Sequence, residues 1–200
     1  MEPLEADLGI PICGSNPSTG RSSHKLLLTH PGPTSSGQPA LGLIYLAAGI
    51  AHFTEAEGFT NITPPNGSWG FWWTPFSPKV NTLWTGVVEV FGGAWLLFGA
   101  AAPLLGLALP PELGPVASDG ALTLFLLTII VTPANIYALT HGANFPLDVE
   151  TPPAAHGVRL AFQSVLLAMF WEMAQTTVID FKVNMGLMTA AEAARAAVPM

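Results

Sequence analysis

Six residues whose side chains can hold a proton or grip a polar group stand in or beside the apolar stretches of this chain: His52, Glu89, Asn135, His141, Arg159 and Gln163. A carboxyl, two imidazoles, a guanidinium and two primary amides can together relay a proton, balance a charge or hydrogen-bond a ligand. Glu89 with His52 forms the candidate proton relay. Glu89 with Arg159 is the expected charge pair, with His52 and Asn135 as hydrogen-bonding neighbours. Ionisable groups placed at membrane depth are functional candidates by default, because an unpaired charge there costs several kcal/mol. The competing reading is that these groups only join helices, each contact contributing on the order of 0.6 kcal/mol. Both readings stand at this point.

The elements that must position these residues are apolar helices. Half of the 200 residues are apolar and only 10% are charged, against roughly a quarter charged in a soluble domain. Mean hydropathy is +0.47. Several segments approach the ~20 residues needed to cross ~30 Å of hydrocarbon, and they are continuously apolar rather than alternating. The expected fold is therefore an all-α membrane protein, a four-transmembrane-helix bundle.

The first helix is expected over residues 39–55, where Gly42, Tyr45, Gly49 and His52 recur at helical spacing on one face. The second covers about 80–105, with Gly86, Gly93 and Ala100 seven apart and Glu89 beside them. Glu89 would lie ~12 Å below the membrane surface at ~1.5 Å per residue. The third spans about 121–143, with Thr128, Thr132 and Asn135 as its polar stripe and Pro133 within it. A proline there frees a backbone carbonyl that must find another donor. The fourth covers about 154–179 and opens with His156, Arg159 and Gln163.

Between the first two helices, residues 56–79 read as a loop with four aromatics in five positions: Trp69, Phe71, Trp72 and Trp73. Indole rings settle at the headgroup level, and the same four residues could form an interface for a partner or a flat ligand. Asn61 and Asn66 open glycosylation triplets, but both read better as turn chemistry.

Residues 1–38, rich in Pro, Gly, Ser and Thr, are expected to form a disordered N-terminal tail ahead of a transmembrane domain at 39–180. Residues 181–200 form a short C-terminal tail, amphipathic over 188–197. The chain's lone cysteine, Cys13 of the N-terminal tail, excludes a paired-thiol redox centre within this chain. Six scattered Lys and Arg residues in a net charge of −7 offer no basic patch, so nucleic acid is not an expected partner. The lipid bilayer is one, and protein partners within a membrane complex are another. Arg21, Lys25, Lys182 and Arg195 against Lys79 and Arg159 place both termini on the cytoplasmic, stromal or matrix side. No close His, Cys and Glu spacing points to a metal.

These residues together resemble the DoxX-like integral membrane proteins. The resemblance runs over residues 41–174. It rests on Ala47-Ala48-Gly49-Ile50-Ala51-His52-Phe53, on Pro64-Pro65, and on Gly86-Val87-Val88-Glu89-Val90-Phe91-Gly92-Gly93. Further pieces are Thr132-Pro133-Ala134-Asn135-Ile136-Tyr137-Ala138, and Arg159 and Gln163 with Trp171. It implies a four-helix bundle with His52, Glu89, Asn135, Arg159 and Gln163 at characteristic positions, and a link to membrane redox systems. The longer aromatic loop and extended tail depart from that pattern. Three functions stand as expectations: a non-catalytic accessory subunit of a redox or electron-transport assembly; a quinone-linked oxidoreductase subunit using Glu89 and His52; and a small subunit of a photosynthetic or respiratory complex that binds pigment or lipid through Trp72, Trp73 and His52, with His52 or His141 as the axial ligand if the pigment is a tetrapyrrole.

Overall fold

A computed structural model describes residues 37–142 and 152–196. Most of the expected N-terminal tail and of the loop before the fourth long helix lies outside these residues. The described residues are helical throughout their regular structure, and no strand occurs among them. The elements are α1 (Gln38–Thr54), α2 (Ala56–Asn61), α3 (Pro78–Leu104), α4 (Val116–Ile130), α5 (Thr132–His141), α6 (Pro153–Met173), α7 (Gln175–Asn184) and α8 (Ala190–Ala196).

Two stretches are long and apolar enough to cross a membrane: α3, and the run Val116–His141 formed by α4 and α5. Only 28% and 22% of their most apolar windows are buried within the protein. A core helix of a soluble domain would bury most of that surface.

Helix α3 is the axis of the packing, because glycines open two of its faces. On one, a Cβ at Gly93 would stand 2.5 Å from the Leu46 backbone nitrogen of α1, and one at Gly86 would stand 2.5 Å from the His52 Cβ. Helix α1 answers with Gly42 and Gly49, whose missing side chains admit the α3 backbone at Leu97 and Val90. On the other face, Gly99 meets the Ala117 backbone and Gly120 of α4 meets that of Leu96. Small residues let helix backbones approach closely where no hydrophobic effect drives association. Leu96, Ala121, Leu124, Leu166, Phe170 and Ala174 fill the centre of the bundle.

The ends of α3 are built by its own residues. Ser77 accepts a hydrogen bond from the Val80 N–H ahead of Pro78, a serine cap followed by proline. At the other end Gly106 takes a positive φ of 70°, and Leu107 N–H donates to the Ala102 carbonyl, a glycine-terminated stop.

Three features differ from the sequence expectations. The expected third helix breaks at Val131, since Pro133 lacks the N–H that would continue the ladder. The expected fourth breaks at Ala174, whose N–H is shared between the Phe170 and Trp171 carbonyls. Beyond that break the Thr177 N–H finds Ser118 Oγ at 3.1 Å, and its hydroxyl finds Asp119 Oδ1 at 2.7 Å, tying α7 to α4. Finally, the region expected as loop contains α2, which lies against α3 through Thr60, Thr63 and Thr82 hydroxyls 3.3–3.4 Å apart.

Candidate functional site

A cavity of about 420 Å³ lies between α1, α3, the α4–α5 break and α6, beneath α2 and the aromatic loop. His52, Glu89, Asn135, Arg159 and Gln163 all line it. Each is delivered by a different local device.

His52 stands where α1 crosses α3, in space that Gly86 leaves open. Its ring stacks on Phe59 of α2, centroids 3.9 Å apart and planes 26° from parallel. Its Nδ1 lies 3.1 Å from the Ala48 carbonyl oxygen and 3.1 Å from Glu89 Oε2. One N–H serves both badly. Its direction favours the Ala48 carbonyl, so the contact with Glu89 is an electrostatic one, and Oε2 is left buried without a hydrogen-bond donor. His52 and Glu89 are 8% and 9% exposed. Charge balance in the sequence favoured Arg159 as the partner of Glu89, whereas His52 is the group at short range, and Arg159 reaches the same cavity from α6.

The opposite wall is built on the helix break. Gln163 Nε2 donates to the Thr128 carbonyl at 2.9 Å and to Thr132 Oγ1 at 2.6 Å, while the Thr132 hydroxyl bonds that same carbonyl. Asn135 Nδ2 donates to Gln163 Oε1. The backbone polarity released near Pro133 is thus taken up by side chains from α5 and α6, as a low-dielectric setting demands.

The mouth is aromatic. Asn66 closes the loop by two bonds to Thr74, Nδ2 to the carbonyl at 3.0 Å and Oδ1 from the N–H at 2.8 Å. The first asparagine of the glycosylation triplet is therefore committed to loop closure. Trp69 sits at φ 54°, a left-handed conformation uncommon outside glycine. Its ring contacts Phe71, Trp72, Tyr137 and His141 at centroid distances of 5.9–6.3 Å. Trp72 turns inward to the cavity, its Nε1 donating to the Pro64 carbonyl at 3.1 Å. Phe71 and Trp73 project outward, 79% and 70% exposed. Of the four aromatics named from sequence, Trp72 therefore lines the cavity, Trp69 packs among neighbouring rings, and Phe71 and Trp73 face outward.

His141 lies outside the cavity lining. It is exposed at the end of α5, stacked on Tyr137 at 4.2 Å. His156 is buried on α6 with both ring nitrogens lacking hydrogen-bond partners. Among the described residues, no three His, Cys, Asp or Glu side chains converge to hold a metal. Cavity residues not singled out from sequence are Phe59, Asn81, Thr82, Trp84 and Thr85. Thr82 and Thr85 lie seven and four residues before Glu89, on the same helical face, and that register was the available signal. Phe59 had none, because α2 is too short to show a period.

Comparison with known protein families, with curated proteins and with solved structures yields no match to this chain.

Proposed function

We propose that the chain is a four-span membrane bundle that takes a lipid-soluble, ring-sized molecule of the quinone class into this cavity. The observation that carries the reading is the cavity itself. Its volume, about 420 Å³, falls in the range of small-molecule sites, which pair apolar walls with a few convergent polar groups. Here those groups are the His52–Glu89 pair on one wall and the Asn135–Gln163 amides on the other. A carboxyl beside an imidazole can accept a proton from a ring hydroxyl and return it. The DoxX-like resemblance agrees with this reading at the residues lining the cavity.

Four spans are supported by the outward faces of the two remaining long helices, α1 and α6. Leu43, Ile44, Ile50 and Phe53 of α1 are exposed, as are Val158, Phe162, Val165 and Met169 of α6. The polar residues of the same helices, His52, His156 and Gln163, are buried. Apolar outside and polar inside is the distribution a bilayer selects.

The test is binding of the tetramethyl-1,4-hydroquinone/benzoquinone couple to the full chain in mild detergent, read by quenching of tryptophan fluorescence at Trp72 and Trp84. At least one member of the couple binds saturably, and Ala134→Phe, which fills the cavity from α5, abolishes binding while the helical circular dichroism stays unchanged. Absence of saturable binding of either member would refute the proposal.

A further inference from the structure

Several donors that line the cavity are already committed within the protein. Trp84 Nε1 is committed to Asn81 Oδ1 at 3.1 Å, and Asn81 Nδ2 to Thr74 Oγ1 at 3.1 Å. The hydroxyls of Thr85 and Thr128 donate backward to the Asn81 and Leu124 carbonyls of their own helices. Gln163 and His52 spend their N–H groups on the Thr128 and Ala48 carbonyls. At the same wall Glu89 Oε2 is a buried acceptor that no donor hydrogen-bonds, its nearest polar neighbour being His52 Nδ1 at 3.1 Å.

A buried carboxyl oxygen left without a donor is costly, and more so in surroundings of low dielectric. From this we infer that the cavity is built for a ligand that brings a hydrogen-bond donor to Glu89. Within the ring class proposed above, on which this inference rests, that ligand is the hydroxylated, reduced member. A ring hydroxyl donates to Oε2. A ring carbonyl can only accept. Facing Oε2 it sets two partial negative charges together and gives the carboxyl no hydrogen bond. The protein is accordingly a hydroquinone-selective site, and Glu89 is its specificity determinant.

The experiment uses wild-type full chain in detergent under anaerobic conditions, titrated with three probes of the same ring: tetramethyl-1,4-hydroquinone, its dimethyl ether, and tetramethyl-1,4-benzoquinone. The hydroquinone is expected to bind about tenfold or more tighter than either of the others, the scale of one satisfied buried acceptor. Glu89→Gln places an amide able to donate as well as accept, and should bring the hydroquinone-to-quinone ratio close to one. Equal or tighter binding of quinone to wild type overturns the inference while leaving the proposed function intact, since Ala134→Phe still tells cavity binding from adventitious partition. Failure of all three probes to bind overturns both. Should Glu89→Gln fail to fold, the wild-type series decides alone.

Discussion

At the scale of single residues, the His52–Glu89 contact depends on an atom that is missing. Gly86 has no Cβ, and one built there would lie 2.5 Å from His52 Cβ and 3.1 Å from the Gly49 carbonyl. Neither neighbour is the loose end of a flexible side chain, so the two helices would have to part. Gly86→Ala is expected to lower stability by about 1–3 kcal/mol, the usual penalty for overpacking. It should also weaken hydroquinone binding by parting the helices that carry His52 and Glu89 at the cavity wall. Gly157→Ala is the control, because a Cβ there meets nothing within 4 Å, and its expected effect is neutral or stabilising by up to ~1 kcal/mol from helix propensity. Thermal unfolding in detergent compares the two, and equal melting of Gly86→Ala and wild type would contradict the close crossing of α1 and α3. This part of the site is readable in sequence, since Gly42, Gly49 and His52 share a helical face, as do Gly86, Glu89 and Gly93. Which group would face the carboxyl is not. Composition favours Arg159 by formal charge, whereas the crossing point of two glycine-lined helices puts the imidazole at contact distance.

At the scale of elements, legibility follows how much of an element's behaviour is local. Pro133 announces a break, and the break falls at Val131. The break at Ala174 carries no proline, and its support comes from Ser118 and Asp119, more than fifty residues away in the chain. No local pattern could have shown it. Helix α8 is the opposite case, with its start written in four residues. Thr189 Oγ1 accepts from the Glu192 N–H at 3.3 Å, and Glu192 Oε2 accepts from the Thr189 N–H and hydroxyl, each at 2.8 Å, a reciprocal cap. These bonds favour the ionised form and hold the fully exposed Glu192 carboxyl below its ordinary range. A carboxyl lowered in the folded state contributes stability above its unfolded value and loses that contribution as the pH falls through the folded one. Helix α8 is therefore expected to fray on acidification, as the pH falls below the ordinary carboxylate range. NMR chemical shifts of Ala193 would follow the transition. Glu192→Gln should remove its pH dependence, and persistence of the same acid transition in that variant would contradict the assignment.

At the scale of the whole molecule, the question is whether α1 and α6 cross the bilayer with α3 and the α4–α5 run. Hydropathy averaged around a helix judges them poorly. Helix α1 has 17 residues, and α6 carries His156, Arg159 and Gln163, which lower its mean while His156 and Gln163 are buried inward. In a four-span bundle lipid would meet the outer face alone. The two topologies part at one position. If only α3 and α4–α5 cross, Leu187, after α7, lies on the same side as Trp73. If α6 crosses as well, Leu187 lies with Leu107 on the opposite side. Leu107, Leu187 and Trp73 are 55%, 72% and 70% exposed, so each can carry a reporter. In a Cys13→Ser background, single cysteines at these positions in sealed vesicles would be treated with a membrane-impermeant maleimide. The expected result is that Leu187→Cys and Leu107→Cys label together from one side and Trp73→Cys from the other. Labelling of Leu187→Cys with Trp73→Cys would remove α6 from the spans. It would also leave Arg159 and Gln163 on a helix outside the hydrocarbon, where water competes for the cavity's hydrogen bonds. A lipid-soluble ligand would then have no dry route to Glu89.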